Sequence, residues 1–176
     1  MKRKNRNIVL IGMMGCGKTT IANILAEELK RPMVDIDDYL VDKYDMTIPE
    51  MFEISEDYFR EREHECCRVI GGWDNFVIST GGGVIKNPHN IECLKKNGII
   101  IYLDRPVKHI LQDIDTSSRP LLKDGANALY ELYNQRHEQY LSACDYHVEN
   151  TTTLYDTVQK IKNILEEDEK SYCEKE

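Results

Sequence analysis

The chain has 176 residues, 41% hydrophobic and 31% charged, a balance that suits one folded domain with a sizeable core. Lys and Arg number 23 against 31 Asp and Glu, and the resulting net charge of −8 argues against a binder of nucleic-acid backbone. It leaves room for a small-anion site, which needs only a few local cations.

NIVLIG (7–12) predicts a first strand and residues 18–30 a helix. PMVDID (32–37) predicts a second strand, followed by helical or mixed segments over 38–71. NFVIST (75–80) and GIIIYLD (98–104) predict the third and fourth strands. A helix from about Val107 precedes the polar stretch DTSSRPLLKDG (115–125), and residues 126–143 form a long helix. Tyr146-His147-Val148 is a short fifth strand and 154–167 a closing helix, after which a charged tail over about 168–176 is expected to fray. Short, continuously apolar strands alternating with helices predict an α/β fold with a parallel sheet buried on both faces. No repeat or linker divides the chain, so 1–176 is expected to be one domain with its core over about 7–165.

No apolar run approaches the roughly 18–20 residues of a membrane span. The basic start MKRKNRN leads into a strand-length run rather than a secretion signal. Cysteines 16, 66, 67, 93, 144 and 173 show neither CxxC pairs nor metal-ligand spacing, and read as reduced thiols of a cytoplasmic protein.

GMMGCGKTT (12–20) meets the pattern Gly-x-x-x-x-Gly-Lys-Ser/Thr at Gly12, Gly17, Lys18 and Thr19, with a strand before it and a helix after. Glycines let backbone N–H groups converge on phosphates, Lys18 brings charge to the β- and γ-phosphates, and the Thr19 hydroxyl can ligate Mg²⁺. The helix start adds free N–H groups and a positive dipole end. The nucleotide-binding set is therefore Gly12, Gly15, Cys16, Gly17, Lys18, Thr19 and Thr20. Neither an Asn-Lys-x-Asp signature nor an Asp-x-x-Gly after the third strand occurs, which argues against a GTPase.

VDIDDYL (34–40) puts Asp35 and Asp37 at the carboxyl end of the second strand, the edge where open α/β sheets bind ligands. Two apart on a strand, both would face the cradle, one for a water-mediated Mg²⁺ contact and one to accept a hydroxyl proton. The alternative is that Asp37 caps the next helix. In STGGGVI (79–85), Gly81, Gly82 and Gly83 suggest a backbone lying directly against a small molecule. Arg136 falls within the stripe Leu129, Leu132, Tyr133, Tyr140, Ala143, so it should meet an anion, either an internal carboxylate or a ligand. Arg60, in YFRERE, could pair with Glu56 or the neighbours of His64 on an exposed helix face. Arg119, before Pro120, belongs to a loop and is a candidate for a lid that closes over the phosphates.

Taken together, GMMGCGKTT, VDIDDYL, FRERE, STGGGVI, SRPLL and NQRHEQYLSACD resemble the shikimate kinase family, in order and over about residues 7–165. The resemblance implies a three-layer P-loop kinase fold with a five-stranded parallel sheet of order 2-3-1-4-5. It implies transfer of the ATP γ-phosphoryl group to the 3-hydroxyl of shikimate, with Mg²⁺, in aromatic amino-acid biosynthesis. By the same resemblance Asp37 orients or deprotonates the hydroxyl, and Arg60 and Arg136 bind the shikimate carboxylate. The Gly81–Gly83 backbone would meet the ring hydroxyls, Arg119 closes with the lid onto the phosphates, and Asp35 reaches Mg²⁺ through water. The shikimate-binding region would span about 37–65 and the lid about 115–125, in a monomer whose partners are ATP and shikimate.

Three positions depart from the family pattern. Gln112 stands where an arginine commonly packs on adenine, Ser55 replaces a glycine before Arg60, and Cys16 lies inside the cradle, where a thiolate could be oxidation-prone. Asp104, ending IIIYLD, could instead pass for the acidic residue of the metal site. The competing activities are a gluconate or nucleoside-monophosphate kinase, or a non-catalytic nucleotide-binding module.

Overall fold

Two runs without a polar interruption, NIVLI and GIIIYLD, form the centre of the sheet as β1 (Asn7–Ile11) and β4 (Gly98–Asp104), and every residue of both is buried. A strand of this kind is stable only with both faces covered. The computed structural model describes residues 5–113 and 122–173. In chain order the remaining elements are α1 (Lys18–Leu29), β2 (Met33–Asp35), α2 (Ile36–Tyr44), α3 (Ile48–Ile54), α4 (Glu56–Ile70) and β3 (Val77–Ser79). After a 3₁₀ turn (Val84–Lys86) come α5 (Pro88–Lys95), β4, α6 (Val107–Asp113), α7 (Leu122–Ala143), β5 (Tyr146–Glu149) and α8 (Leu154–Cys173).

The five strands are all parallel in the order β2-β3-β1-β4-β5. Register is set by pairs such as Leu10 with Ser79, Ile11 with Tyr102, and Val34 with Ile78. The crossover from β1 to β2 and that from β3 to β4 run in opposite directions across the sheet. Right-handed crossovers then put α1 and α5 on opposite faces. Packing follows that division: α1 lies on β1–β3 and against α8, while α4 gathers α2, α3 and α5, and α7 rests on β4. The sense in which strands are added to the sheet reverses at β1, so the crevice beyond its carboxyl end is the natural ligand edge.

Several boundaries differ from those the sequence suggests, each for a local reason. β2 stops at Asp35 rather than residue 37, because the Asp35 side chain accepts the Asp37 N–H and starts α2 there. Asp37 therefore sits in a first helical turn, not on a strand, and the helix cap is Asp35. β3 is shorter than 75–80: Asn75 has φ 68°, and Thr80 turns its hydroxyl to the Leu10 carbonyl at 2.9 Å. α7 begins at Leu122, four residues before the expected 126, and runs through Gly125. α8 continues to Cys173, well into the stretch expected to fray, because Asp168 accepts from Tyr146 at 3.0 Å and pairs with Arg6. Ser55 is no liability: its φ of −174° needs no glycine, and its hydroxyl caps α4 by accepting from Tyr58 N–H. Among the described cysteines none is in a disulfide.

β4 starts at a glycine for a steric reason. A Cβ on Gly98 would sit 2.4 Å from the Leu94 carbonyl oxygen and 3.0 Å from Val9 Cγ2. Gly98→Ala is therefore expected to cost about 2 kcal/mol in a urea titration while leaving the far-UV spectrum native-like.

Candidate active site

The loop between β1 and α1 turns on three glycines with positive φ, Gly12 at 150°, Gly15 at 74° and Gly17 at 96°. At Gly12 space is also decisive, since a Cβ would lie 2.5 Å from the Leu103 carbonyl. Gly17 is the N-cap of α1 and supplies no side chain, and the first turn holds no acidic residue. Its N–H groups and dipole are thus left for an anion. Lys18, only 7% exposed, donates from Nζ to the Gly12 and Met13 carbonyls at 2.7 and 2.8 Å. Asn150, just after β5, braces the loop from behind by donating to the Cys16 carbonyl and accepting from Thr157.

Asp35 joins this loop to the neighbouring one. Its Oδ2 accepts from Thr19 Oγ1 at 2.8 Å while Oδ1 caps α2, and Ser79 Oγ lies 3.2 Å from the same hydroxyl. A hydroxyl and a carboxylate at the cradle mouth form the oxygen-rich donor set that suits Mg²⁺. Asp104 faces elsewhere: it accepts from Tyr133 at 2.8 Å and lies 2.9 Å from His147 Nε2, outside the cavity that contains the cradle.

That cavity, about 650 Å³, gathers residues 14–20 with Asp35, Asp37, Thr80, Gly81 and Gly82. Asp37 Oδ1 is buried without a hydrogen-bond partner. Burial, then the like charges of Asp35 and Glu63, push its pKa up to about 6, against the pull of Lys18.

Each glycine of the triplet faces a different functional side chain. A Cβ on Gly81 would meet the Asp37 carboxylate at 3.0 Å, one on Gly82 the Met14 N–H group and Arg136, and one on Gly83 the Arg60 guanidinium at 2.5 Å. Gly83 has φ −92°, so close approach and not backbone conformation excludes a side chain there. Arg60 pairs with Glu56 as expected, Nε to Oε1 at 3.4 Å, but it is half-buried and not on an exposed face. Its Nη1 holds the Glu63 carboxylate at 2.8 Å, and Glu63 is 1% exposed. Phe59 and Phe52 flank the guanidinium. Burial raises the Glu63 pKa, opposed by Arg60 and Arg136.

Arg136 is half-buried on α7, and no described carboxylate forms an ion pair with it. Tyr140, one turn on, is fully buried and donates its hydroxyl to the Gly82 carbonyl at 2.5 Å. Burial pushes its phenol up to about 12, so it remains a donor. Sequence reasoning treated Tyr140 only as part of an apolar stripe and did not single out Glu63; the i,i+3 spacing from Arg60 was the available signal. Cys16 is fully buried, with Sγ 3.7 Å from Lys18 Nζ, which removes the solvent access an oxidation-sensitive thiol needs. Arg119 and residues 114–121 of the expected lid lie outside the described residues, and Leu122 onward already belongs to α7.

A glycine cradle at the switch point of a parallel sheet, beside a glycine triplet bordered by a carboxylate and two guanidiniums, defines a P-loop kinase for a small molecule. The particular family follows from comparison: the shikimate kinase family model matches residues 14–172, and the chain belongs to that family. A shikimate kinase of Clostridium botulinum is 49% identical over 162 residues, 92% of this chain and 98% of its own. One of Clostridium beijerinckii is 42% identical over 162 residues, again 92% of this chain and 95% of its own. Among solved structures, shikimate kinase from Acinetobacter baumannii in complex with shikimate aligns with TM-score 0.86 and 35% identity, over 94% of this chain and 96% of that one. Shikimate kinase from Aquifex aeolicus aligns with TM-score 0.81 and 32% identity, over 92% and 97% of the two chains. These relatives favour the shikimate reading over gluconate or nucleoside-monophosphate kinases and over a non-catalytic module.

The raised Asp37 pKa carries a stability cost. From pH 3.8 to about 6 the folded chain holds this proton more tightly than the unfolded chain, so stability from this group falls as pH rises through that window. Asp37→Asn is expected to be more stable than the parent at pH 7 by about 2 kcal/mol, and no more stable at pH 3.5, in paired urea titrations.

Proposed function

We propose that the protein transfers the γ-phosphoryl group of ATP to the 3-hydroxyl of shikimate, giving shikimate 3-phosphate and ADP. The observation that carries this reading is the placing of two guanidiniums, Arg60 and Arg136, against the same glycine triplet that Asp37 faces. Two guanidiniums suit one carboxylate, and a bare backbone suits ring hydroxyls. An acceptor with its carboxylate at the arginines would lie across the triplet with a hydroxyl toward Asp37. With a pKa near 6 the Asp37 carboxylate is ionised at neutral pH and more basic than an ordinary aspartate, as a proton acceptor should be.

Lys18 and the first turn of α1 hold the phosphates, with Gly12, Gly15, Cys16, Gly17 and Thr20 completing the loop. Mg²⁺ would be held by Thr19 and, through water, Asp35, and when bound it neutralises charge on the phosphates. Arg119 closes over the transferring group in this reading, a role resting on its motif alone. All these groups come from one chain, which supports action as a monomer, and the reduced cysteines agree with a cytoplasmic setting.

The decisive measurement is coupled ADP release with shikimate, gluconate and nucleoside monophosphates offered separately. Turnover with shikimate alone is expected, and shikimate turnover no higher than the ATPase background overturns the proposal. kcat/KM should rise with pH through a midpoint near 6, and Asp37→Asn should lower kcat about 100-fold or more and abolish that limb. Arg136→Lys, which keeps charge but not the planar fork, should raise the KM for shikimate about tenfold with the KM for ATP nearly unchanged. Equal loss for both substrates would remove the carboxylate role.

A further inference from the structure

The phosphate-binding cavity has an end that none of the groups above explains. Asp35, Asp37, Gly81 and Gly82 form the acceptor side, so the γ-phosphate must point toward them. The base then needs the rest of the cavity, and Arg105, Asp113, Asn150, Thr152 and Leu154 are the lining residues that remain for it. Gln112 is exposed on α6 and does not line it.

Arg105 follows β4 directly and is held at two points along its edge. Nη2 lies 2.7 Å from the Asp113 carboxylate, and Nη1 donates to the Asn150 carbonyl at 3.0 Å. Nε is buried with no hydrogen-bond partner, and the side chain is 17% exposed. A guanidinium fixed by its edge offers a ligand its flat face. An aromatic ring is the group that such a face attracts. Leu154, at the start of α8, is 42% exposed and adds apolar surface at the same end.

We propose that Arg105 is the residue on which the nucleotide base stacks, and that it sets a preference for purine over pyrimidine nucleotides. The proposal rests on the reading of the cradle as a nucleotide site. Stacking on a flat cation reads ring area rather than the hydrogen-bonding edge of a base. Adenine and guanine should therefore be held alike and uracil less well. Asn150 serves this end twice, fixing Arg105 through its carbonyl and the cradle through its side chain.

Titration calorimetry of the full chain with ADP, GDP and UDP tests this without any acceptor. The parent should bind ADP and GDP within about threefold of each other and UDP about tenfold more weakly. Arg105→Ala should weaken ADP and GDP about tenfold and UDP about twofold, so that the purine preference collapses while shikimate binding is unchanged. Arg105→Lys, which keeps the charge without the plane, should lose most of the preference too, and it supplies the same ratio if the alanine variant does not fold. A purine-to-pyrimidine ratio that survives both substitutions, or an equal loss for all three nucleotides, overturns the role of Arg105 and leaves the phosphotransfer reading intact. No binding of ADP by the parent overturns both.

Discussion

One carboxylate ties the two halves of the site together. Asp35 ends β2, caps α2 with one oxygen and receives the Thr19 hydroxyl with the other. The cap carries Asp37 into the first turn of α2, and the hydroxyl bond fixes α2 to the helix that begins at the cradle. Loss of that carboxylate would free a helix start and the Thr19 hydroxyl in one step, each a small contribution alone. The spatial relation of phosphate donor to acceptor therefore depends on this side chain as well as on the pairing of β3 with β1 and β2.

The glycine triplet then acts as a common floor. Gly81, Gly82 and Gly83 lack side chains because Asp37, Arg136 and Arg60 already occupy the space their Cβ atoms would take or border. Like charges are tolerated there because each has an opposing one. Glu63 is paired with Arg60 through Oε2, yet Glu63 Oε1 and Asp37 Oδ1 are both buried without a hydrogen-bond partner, and both carboxyls answer by holding their protons more tightly. A carboxyl made uncomfortable in this way costs folding energy, and at Asp37 it gains the basicity that the proposed proton acceptor needs.

The parallel sheet was legible because it rests on local pattern: unbroken apolar strands, a glycine-lysine turn, and alternation with helices; its strand order came only with the family resemblance. The end of β2 was not, since VDID reads as a continuous strand until one knows that the first aspartate turns back to cap. The length of α8 was hidden for another reason. Its last turns are charged, and what holds them is Asp168 meeting Tyr146 and Arg6, contacts far apart in the chain. Glu63 and Arg105 escaped notice because nothing in a local sequence marks a charge that the fold will bury or press against a cavity wall. By contrast, Arg136 stood out as a cation in an apolar stripe, although it proves half-buried rather than enclosed.

The bond from Tyr140 to the Gly82 carbonyl joins α7 to that floor, one turn from Arg136. Helix, arginine and glycine backbone are therefore mechanically coupled. A substitution that shifts α7 to admit a bulkier acceptor also drags the backbone beneath the ring, and one that lifts the backbone strains the tyrosine. Effects at these positions will not sum, because each alters the ground on which the others act. If this floor holds the acceptor as proposed, a new acceptor has to suit helix, arginine and backbone together, and no single exchange opens the site to it.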